Sequence, residues 1–169
     1  MSIKSENLNS VELVIFDFDG VFTDNRVYIS SQGIESVKCW RSDGLGLSRL
    51  KSLNIPIYIV SSEKNPVVSV RAEKLAIPVM QAIDDKSEAV EKICSDLNVS
   101  LENTMFVGND INDIPALKIV GFPVGVADIY SEAESYIHLK TAAKGGQGAV
   151  REICDCIYKS KINSDTRDD

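Results

Sequence analysis

The stretch from Val11 to Asp24, VELVIFDFDGVFTD, decides the fold. Its first half, Val11 to Asp17, is apolar nearly throughout, the pattern of a strand buried on both faces of a parallel sheet. Two carboxylates, Asp17 and Asp19, stand where the apolar run ends. A lone buried carboxylate costs several kcal/mol or takes up a proton, so acids in this place need a reason. Side chains two apart on a strand point the same way, which lets both face one site. Gly20 lets the backbone turn sharply and admits a ligand closely. Taken alone, the four residues DFDG read equally well as a pair of turn or capping aspartates.

Downstream, apolar runs bounded by turn residues alternate with helical patterns, which predicts an α/β domain. Val27 to Trp40, with β-branched and aromatic residues around SSQG, reads as a hairpin. A helix is expected over Gly44 to Leu53 and a strand over Pro56 to Val60. NPVVSVRAEKLA follows as a helix, with Pro66 in its first turn. A short strand IPVMQ leads into DDKSEAVEKICSDL, whose early acids mark a helix start. The strand TMFVG, a helix from Asp113 to Val120 and the strand FPVGV continue the alternation. Tyr136 to Leu139 reads as a short strand and Gly148 to Tyr158 as a last helix. The expected architecture is a Rossmann-like parallel sheet with helices on both faces, a β-hairpin insertion and no cap domain. One domain spans 11–158, between an N-terminal tail (1–10) and a polar, frayed C-terminal tail (159–169).

The chain has 169 residues and a net charge of -7. That acidity argues against nucleic acid or an anionic membrane as partner, while leaving room for an anionic substrate held by local positive charge. No apolar run approaches the ~20 residues of a membrane span, and the polar MSIKSENLNS does not read as a signal peptide. Cys39, Cys94, Cys154 and Cys156 form no C-x-x-C pair and are expected as free thiols in a reducing cytoplasm.

Polar groups recur after the later strands. Ser61 and Ser62 follow PIYIV, Lys86 follows IPVMQ, and Asn109, Asp110 and Asp113 follow TMFVG. Ligands of open parallel sheets bind outside the carboxyl ends of the strands, so these groups are expected to converge on Asp17 and Asp19. Clustered oxygens suit Mg²⁺, a hard cation that keeps waters and phosphate among its ligands. With Lys86, the metal offsets repulsion between a carboxylate nucleophile and a phosphate. Asp17 then attacks phosphorus to form an aspartyl phosphate, Asp19 moves the protons, and Ser61 donates a hydrogen bond to the phosphoryl group.

In this order the residues resemble the haloacid dehalogenase superfamily of aspartate-nucleophile phosphatases, over Val11 to Ile157. The lack of an inserted domain is similar to its capless, tetrameric branch. FDFDGVFTDNRVY, RSDGLG, GNDINDIPAL, VGVAD and GGQGAVREICD resemble the 3-deoxy-D-manno-octulosonate 8-phosphate phosphatases. SSEKNPVVSVRAEKL and GNDINDIP most resemble the phosphatase-like domains of acylneuraminate cytidylyltransferases. The resemblance implies Asp17 as nucleophile, Asp19 as acid/base with its carbonyl on the metal, Ser61 as phosphate ligand and Lys86 as the motif lysine. Asn109 stands where the family usually carries a metal-ligating aspartate; its amide oxygen can still ligate, and Asp110 is the alternative. Asp113 is implied to hold metal-bound water or Lys86.

The loop Trp40, Arg41, Ser42, Asp43, Gly44 matches substrate-contacting positions of the family, as do Ser62 and Glu63. Octulosonate phosphatases tend to carry arginine at the position of Glu63. Its loss, with Arg71 and Lys74 nearby, resembles the nine-carbon, sialic-type variants and implies preference for a nine-carbon sugar acid. The segment KGGQGAVRE resembles the family's C-terminal tail, which implies closure over a neighbouring subunit's site; Gly145, Gly146 and Gly148 permit that mobility, and Arg151 is expected to reach a substrate anion. The hairpin is the expected oligomer surface of a homotetramer. His138 is far from every motif.

Two rivals stand beside the phosphatase. One is a weakly active or non-catalytic oligomerisation module that partners a cytidylyltransferase; the presence of Asp17, Asp19 and Lys86 counts against it. The other is a receiver domain, which the hairpin after the first strand disfavours.

Overall fold

The structure, a computed structural model, describes residues 2–3 and 7–165. Its elements in order are β1 (Leu13–Phe16), β2 (Thr23–Ile29), β3 (Glu35–Cys39), α1 (Asp43–Ser52), β4 (Ile57–Val60), α2 (Val67–Leu75) and β5 (Val79–Met80). There follow α3 (Lys86–Leu97), β6 (Thr104–Gly108), α4 (Ile114–Ile119), β7 (Phe122–Gly125), α5 (Ser131–Glu134), β8 (Leu139–Lys140) and α6 (Ala149–Asp165). Six strands form one sheet in the order β5-β4-β1-β6-β7-β8, and every pairing is parallel. β2 and β3 make the expected antiparallel hairpin apart from that sheet.

The alternation along β1 builds two cores. Val14 and Phe16 pack with Leu47, Val68 and Ile153, so α1, α2 and α6 cover one face. Leu13 and Ile15 pack with Val90, Ile93 and Leu117, so α3 and α4 cover the other. This is the fully buried central strand that the run VELVIF requires. β1 pairs with both β4 and β6, which places its carboxyl end in the middle of the sheet's edge.

Three boundaries differ from the sequence reading. The hairpin starts at Thr23 rather than Val27, across a register irregularity between those residues that absorbs the polar Asp24 and Asn25. β8 is confined to Leu139–Lys140, because α5 and the turn at Ser135 and Tyr136 occupy the chain before it. The C-terminal tail is not frayed from residue 159: α6 continues to Asp165. Its last turns have partners, since Ser160 Oγ accepts from Leu8 N (2.9 Å) and donates to Asn9 Oδ1 (2.8 Å), and Lys161 Nζ donates to the Asn9 carbonyl. The segment before Val11 also contributes core, with Ile3 and Leu8 fully buried. All four cysteines are free thiols. Among the described residues, no helix is long and apolar enough to cross a membrane.

Candidate active site

The ladder hydrogen bonds carry Asp17 and Ser61 to the sheet's edge: Asp17 N donates to Val107 O (2.9 Å) and Ser61 N to Met80 O (2.9 Å). Helix α3 starts beside them, capped by Asp85, whose carboxylate accepts from Ser87 N (2.8 Å). Lys86, the first residue of that helix, is buried and donates to Asp17 Oδ1 and Asp113 Oδ1, both at 2.6 Å. Asp113 closes the floor: its Oδ2 accepts from Asn109 N (2.7 Å) and Asp110 N (3.2 Å). A Cβ on Gly108 would lie 2.5 Å from that oxygen, so glycine is required for the approach.

The remaining oxygens meet above this floor. The Asn109 side-chain oxygen faces Asp17 Oδ2 at 3.1 Å and the Asp19 carbonyl at 2.8 Å, with no donor between them. In the metal-free protein the amide would turn its NH₂ inward and donate to both. A cation held among the three oxygens would reverse that preference. Among the described residues no trio of His, Cys, Asp or Glu side chains makes a metal cluster. The cradle instead combines one carboxylate, one carbonyl and one amide oxygen, a hard all-oxygen set that fits Mg²⁺ with its retained waters. Gly20, at φ +80, makes the cradle possible, since its Cβ would lie 2.1 Å from the Asn109 amide. Asp110 also lines the cavity, with its Oδ1 accepting from Ile111 N (2.7 Å) to cap the turn Ile111–Asp113.

Burial pushes the Asp17 carboxyl up to about 7, helped by the charge of Asp113 and opposed by Lys86. Burial raises Asp19 to about 6, with Glu63 adding to the rise. For Lys86, burial favours the neutral amine, but the two carboxylates outweigh it and the net shift is upward. The centre therefore holds a charged ammonium and carries a deficit of positive charge that a divalent cation would fill.

A cavity of about 270 Å³ opens on this centre. It gathers Asp17, Asp19, Ser61, Ser62, Glu63, Asn109 and Asp110, as the sequence led one to expect, and adds Asn25 and Asn112, which it did not. Single asparagines carry no periodic signal; the place of Asn25 directly after FDFDGVFTD and of Asn112 within GNDIND was the only cue. Ser61 Oγ accepts from Glu63 N (3.1 Å), which leaves its hydrogen free to donate.

The other expected substrate residues lie outside the cavity. Trp40 and Arg41 are exposed, and Ser42 and Gly44 belong to the start of α1. Asp43 is buried, accepts from Arg151 N (3.2 Å) and is raised to about 6 by burial. Arg71 reaches the Trp40 carbonyl (3.4 Å), and Lys74 is exposed on α2. The Arg151 guanidinium is engaged within its own chain, where Nε donates to both oxygens of Asp155 (2.9 and 2.8 Å).

The glycines before α6 also depart from expectation. Gly145 and Gly146 are buried against the β1–β2 loop, and Gly146 N donates to Val21 O (3.0 Å). A Cβ on Gly145 would lie 1.8 Å from the Gly20 carbonyl, and one on Gly146 would lie 2.3 Å from Asp24 N. These glycines permit close packing behind the catalytic loop, where mobility was expected.

A parallel sheet with aspartates, a serine, a lysine and an acidic loop at successive strand ends defines an aspartate-centred hydrolase. The family profile of haloacid dehalogenase-like hydrolases matches residues 50–153, and the chain belongs to this family. The 3-deoxy-D-manno-octulosonate 8-phosphate phosphatase KdsC of Yersinia pestis is 34% identical over 150 residues, covering 88% of this chain and 80% of that protein. A 3-deoxy-D-manno-octulosonate 8-phosphate phosphatase from Moraxella catarrhalis, solved with magnesium ion, phosphate ion and a KDO molecule, superposes with a TM-score of 0.89 at 30% identity, covering 98% of this chain and 95% of that one. A HAD family hydrolase from Streptomyces avermitilis is 39% identical with a TM-score of 0.88, covering 93% and 90%. The chain is thus a phosphatase of the haloacid dehalogenase-like family, similar to KdsC.

Proposed function

We propose that the protein is a Mg²⁺-dependent phosphatase of a 2-keto-3-deoxy sugar-acid phosphate, working through an aspartyl phosphate on Asp17. The observation that carries this is the juxtaposition of Lys86 on Asp17 Oδ1 with the oxygen cradle on Asp17 Oδ2. One carboxylate oxygen is held by the ammonium, and the other faces the Asp19 carbonyl and Asn109.

Asp17 Oδ2, the Asp19 carbonyl and the Asn109 amide oxygen would hold the metal. Bound there, it supplies Lewis-acid stabilisation to the charge on the phosphoryl oxygens. Asp17 is the nucleophile: it attacks phosphorus, and the bond to the leaving oxygen breaks. The Asp19 side chain, raised to about 6, gives a proton to that leaving oxygen and later takes one from the water that hydrolyses the acyl phosphate. Ser61 donates its free hydrogen to the phosphoryl group. Asp113 holds Lys86, so the ammonium stays between the two carboxylates.

The relatives' substrate supports the eight-carbon octulosonate phosphate. A second reading, a nine-carbon acid, is supported by Glu63, which lines the cavity at the position where octulosonate phosphatases tend to carry arginine. The apolar side chains that the hairpin leaves open, Val27, Tyr28, Ile29 and Ile34, support a homo-oligomer through that face. A cytidylyltransferase partner is an outcome for co-purification to decide. Phosphate release should be measured over eight- and nine-carbon 2-keto-3-deoxy acid phosphates with and without Mg²⁺. Turnover that needs Mg²⁺ and vanishes in Asp17→Asn supports the proposal; no turnover of either class sinks it.

A further inference from the structure

The inner wall of the cavity is committed to phosphate and cation, which leaves the outer lining to meet the leaving group. Part of that lining is already engaged. Glu63 Oε1 accepts from Lys64 N (2.6 Å) and Asn65 N (2.8 Å), and Asp110 Oδ1 caps Ile111. The side chains of Asn25, Ser62 and Asn112 make no hydrogen bond within the chain among the described residues.

Asn25 stands apart from the other two. Its φ of +59 lies in the left-handed region, and no other non-glycine residue of the cavity lining is held there. Asparagine enters that region at lower cost than most L-residues, yet glycine enters it freely. The conformation is pinned from below. Thr23 is fully buried, and its Oγ1 accepts both from Asn25 N (3.2 Å) and from Gly20 N (3.1 Å). One hydroxyl therefore fixes the backbone that follows Asp19 and the residue that faces the cavity mouth. The bend also sits where the β2 register breaks, between Thr23 and Val27.

We propose that Asn25 is a specificity-determining residue, whose free amide hydrogen-bonds a hydroxyl of the leaving group beside the scissile phosphate. An amide donates and accepts at once and adds no charge. In a cavity that already holds Asp17, Asp19, Glu63 and Asp110, it can engage a polyol without further repelling an anionic substrate. The inference rests on the phosphatase reading and goes beyond it by assigning the leaving-group contact.

The test is Asn25→Gly, a variant that suits the observed φ and should fold with an unchanged or higher melting temperature. The readout is the ratio of kcat/KM for the sugar-acid phosphate to kcat/KM for para-nitrophenyl phosphate, whose leaving group offers no hydroxyl. Loss of one neutral hydrogen bond predicts a fall of roughly 3- to 10-fold in that ratio. Asn25→Asp should lower it as well, because a carboxylate accepts but cannot donate. A ratio unchanged in Asn25→Gly, whether both activities fall together or neither does, overturns the proposal. If the wild type ignores sugar acids, the substrate reading fails separately, and the same ratio taken with its best hydroxylated phosphate still decides the role of Asn25. An enzyme inert toward every hydroxylated phosphate refutes both.

Discussion

Replacing Lys86 by methionine removes the ammonium while the side chain's stem still fills the space, so the loss reports charge rather than packing. The side chain is fully buried and bridges Asp17 and Asp113 at 2.6 Å each, with those side chains 5% and 0% exposed. Removing one partner from such a buried group leaves uncompensated charge and destabilises by about 3–5 kcal/mol. The size of the deficit should depend on pH. Asp17 is already raised from 3.8 to about 7 with Lys86 present, and it must rise further without it. A carboxyl whose folded pKa exceeds its unfolded value binds its proton more tightly when folded. Its penalty is absent below the unfolded value and grows as pH climbs toward the folded one. Each additional pKa unit is worth about 1.4 kcal/mol, so the deficit at pH 8 should exceed that at pH 5 by at least ~1 kcal/mol. Urea unfolding of both proteins with chelator present measures this. A deficit below ~1 kcal/mol at pH 8, or an equal deficit at the two pH values, would refute the reasoning.

Other perturbations probe the cradle. Gly20→Ala places a Cβ 2.1 Å from the Asn109 amide at a strained φ of +80, and calorimetric titration should show Mg²⁺ binding weakened about 10-fold or more. Asn109→Asp adds a carboxylate beside Asp17 Oδ2; it should tighten Mg²⁺ about 10-fold while lowering the melting temperature of the metal-free protein. In wild type without metal, Asp17 at about 7 and Asp19 at about 6 are both raised from 3.8, so the folded state binds more protons across that interval. Stability should therefore fall from pH 4 to pH 7, and saturating Mg²⁺ should flatten the decline. A melting temperature that rises over the interval would contradict the burial of these carboxylates.

The fold was legible because the apolar runs are long enough to mark strands buried on both faces, and α3 adds a capping aspartate, Asp85, before its periodic apolar face. Lys86 was legible for a related reason: it follows a short strand and opens a helix, which aims it at the sheet's edge. What escaped depends on distances that no linear pattern encodes. Asn25 drew no attention in the sequence; its place on the cavity lining goes with a positive φ inside the break in the hairpin register. Gly145 and Gly146 read as flexible because glycine serves mobility and close approach alike; the overlap a Cβ would make with Gly20 and Asp24 distinguishes the two. Arg151 had the right chemistry for an anion, but Asp155 lies one helical turn away and takes it. That Asp110 Oδ1 caps Ile111 while the Asn109 amide oxygen faces Asp17 and Asp19 is likewise a feature of backbone geometry.

The central claim is that Asp17, Asp19 and Asn109 surround one cation beside the nucleophilic oxygen. Crystals soaked in Mn²⁺ should show a single strong anomalous peak bonded to Asp17 Oδ2, the Asp19 carbonyl and the Asn109 side-chain oxygen. A peak elsewhere, or none at saturating Mn²⁺, would contradict it.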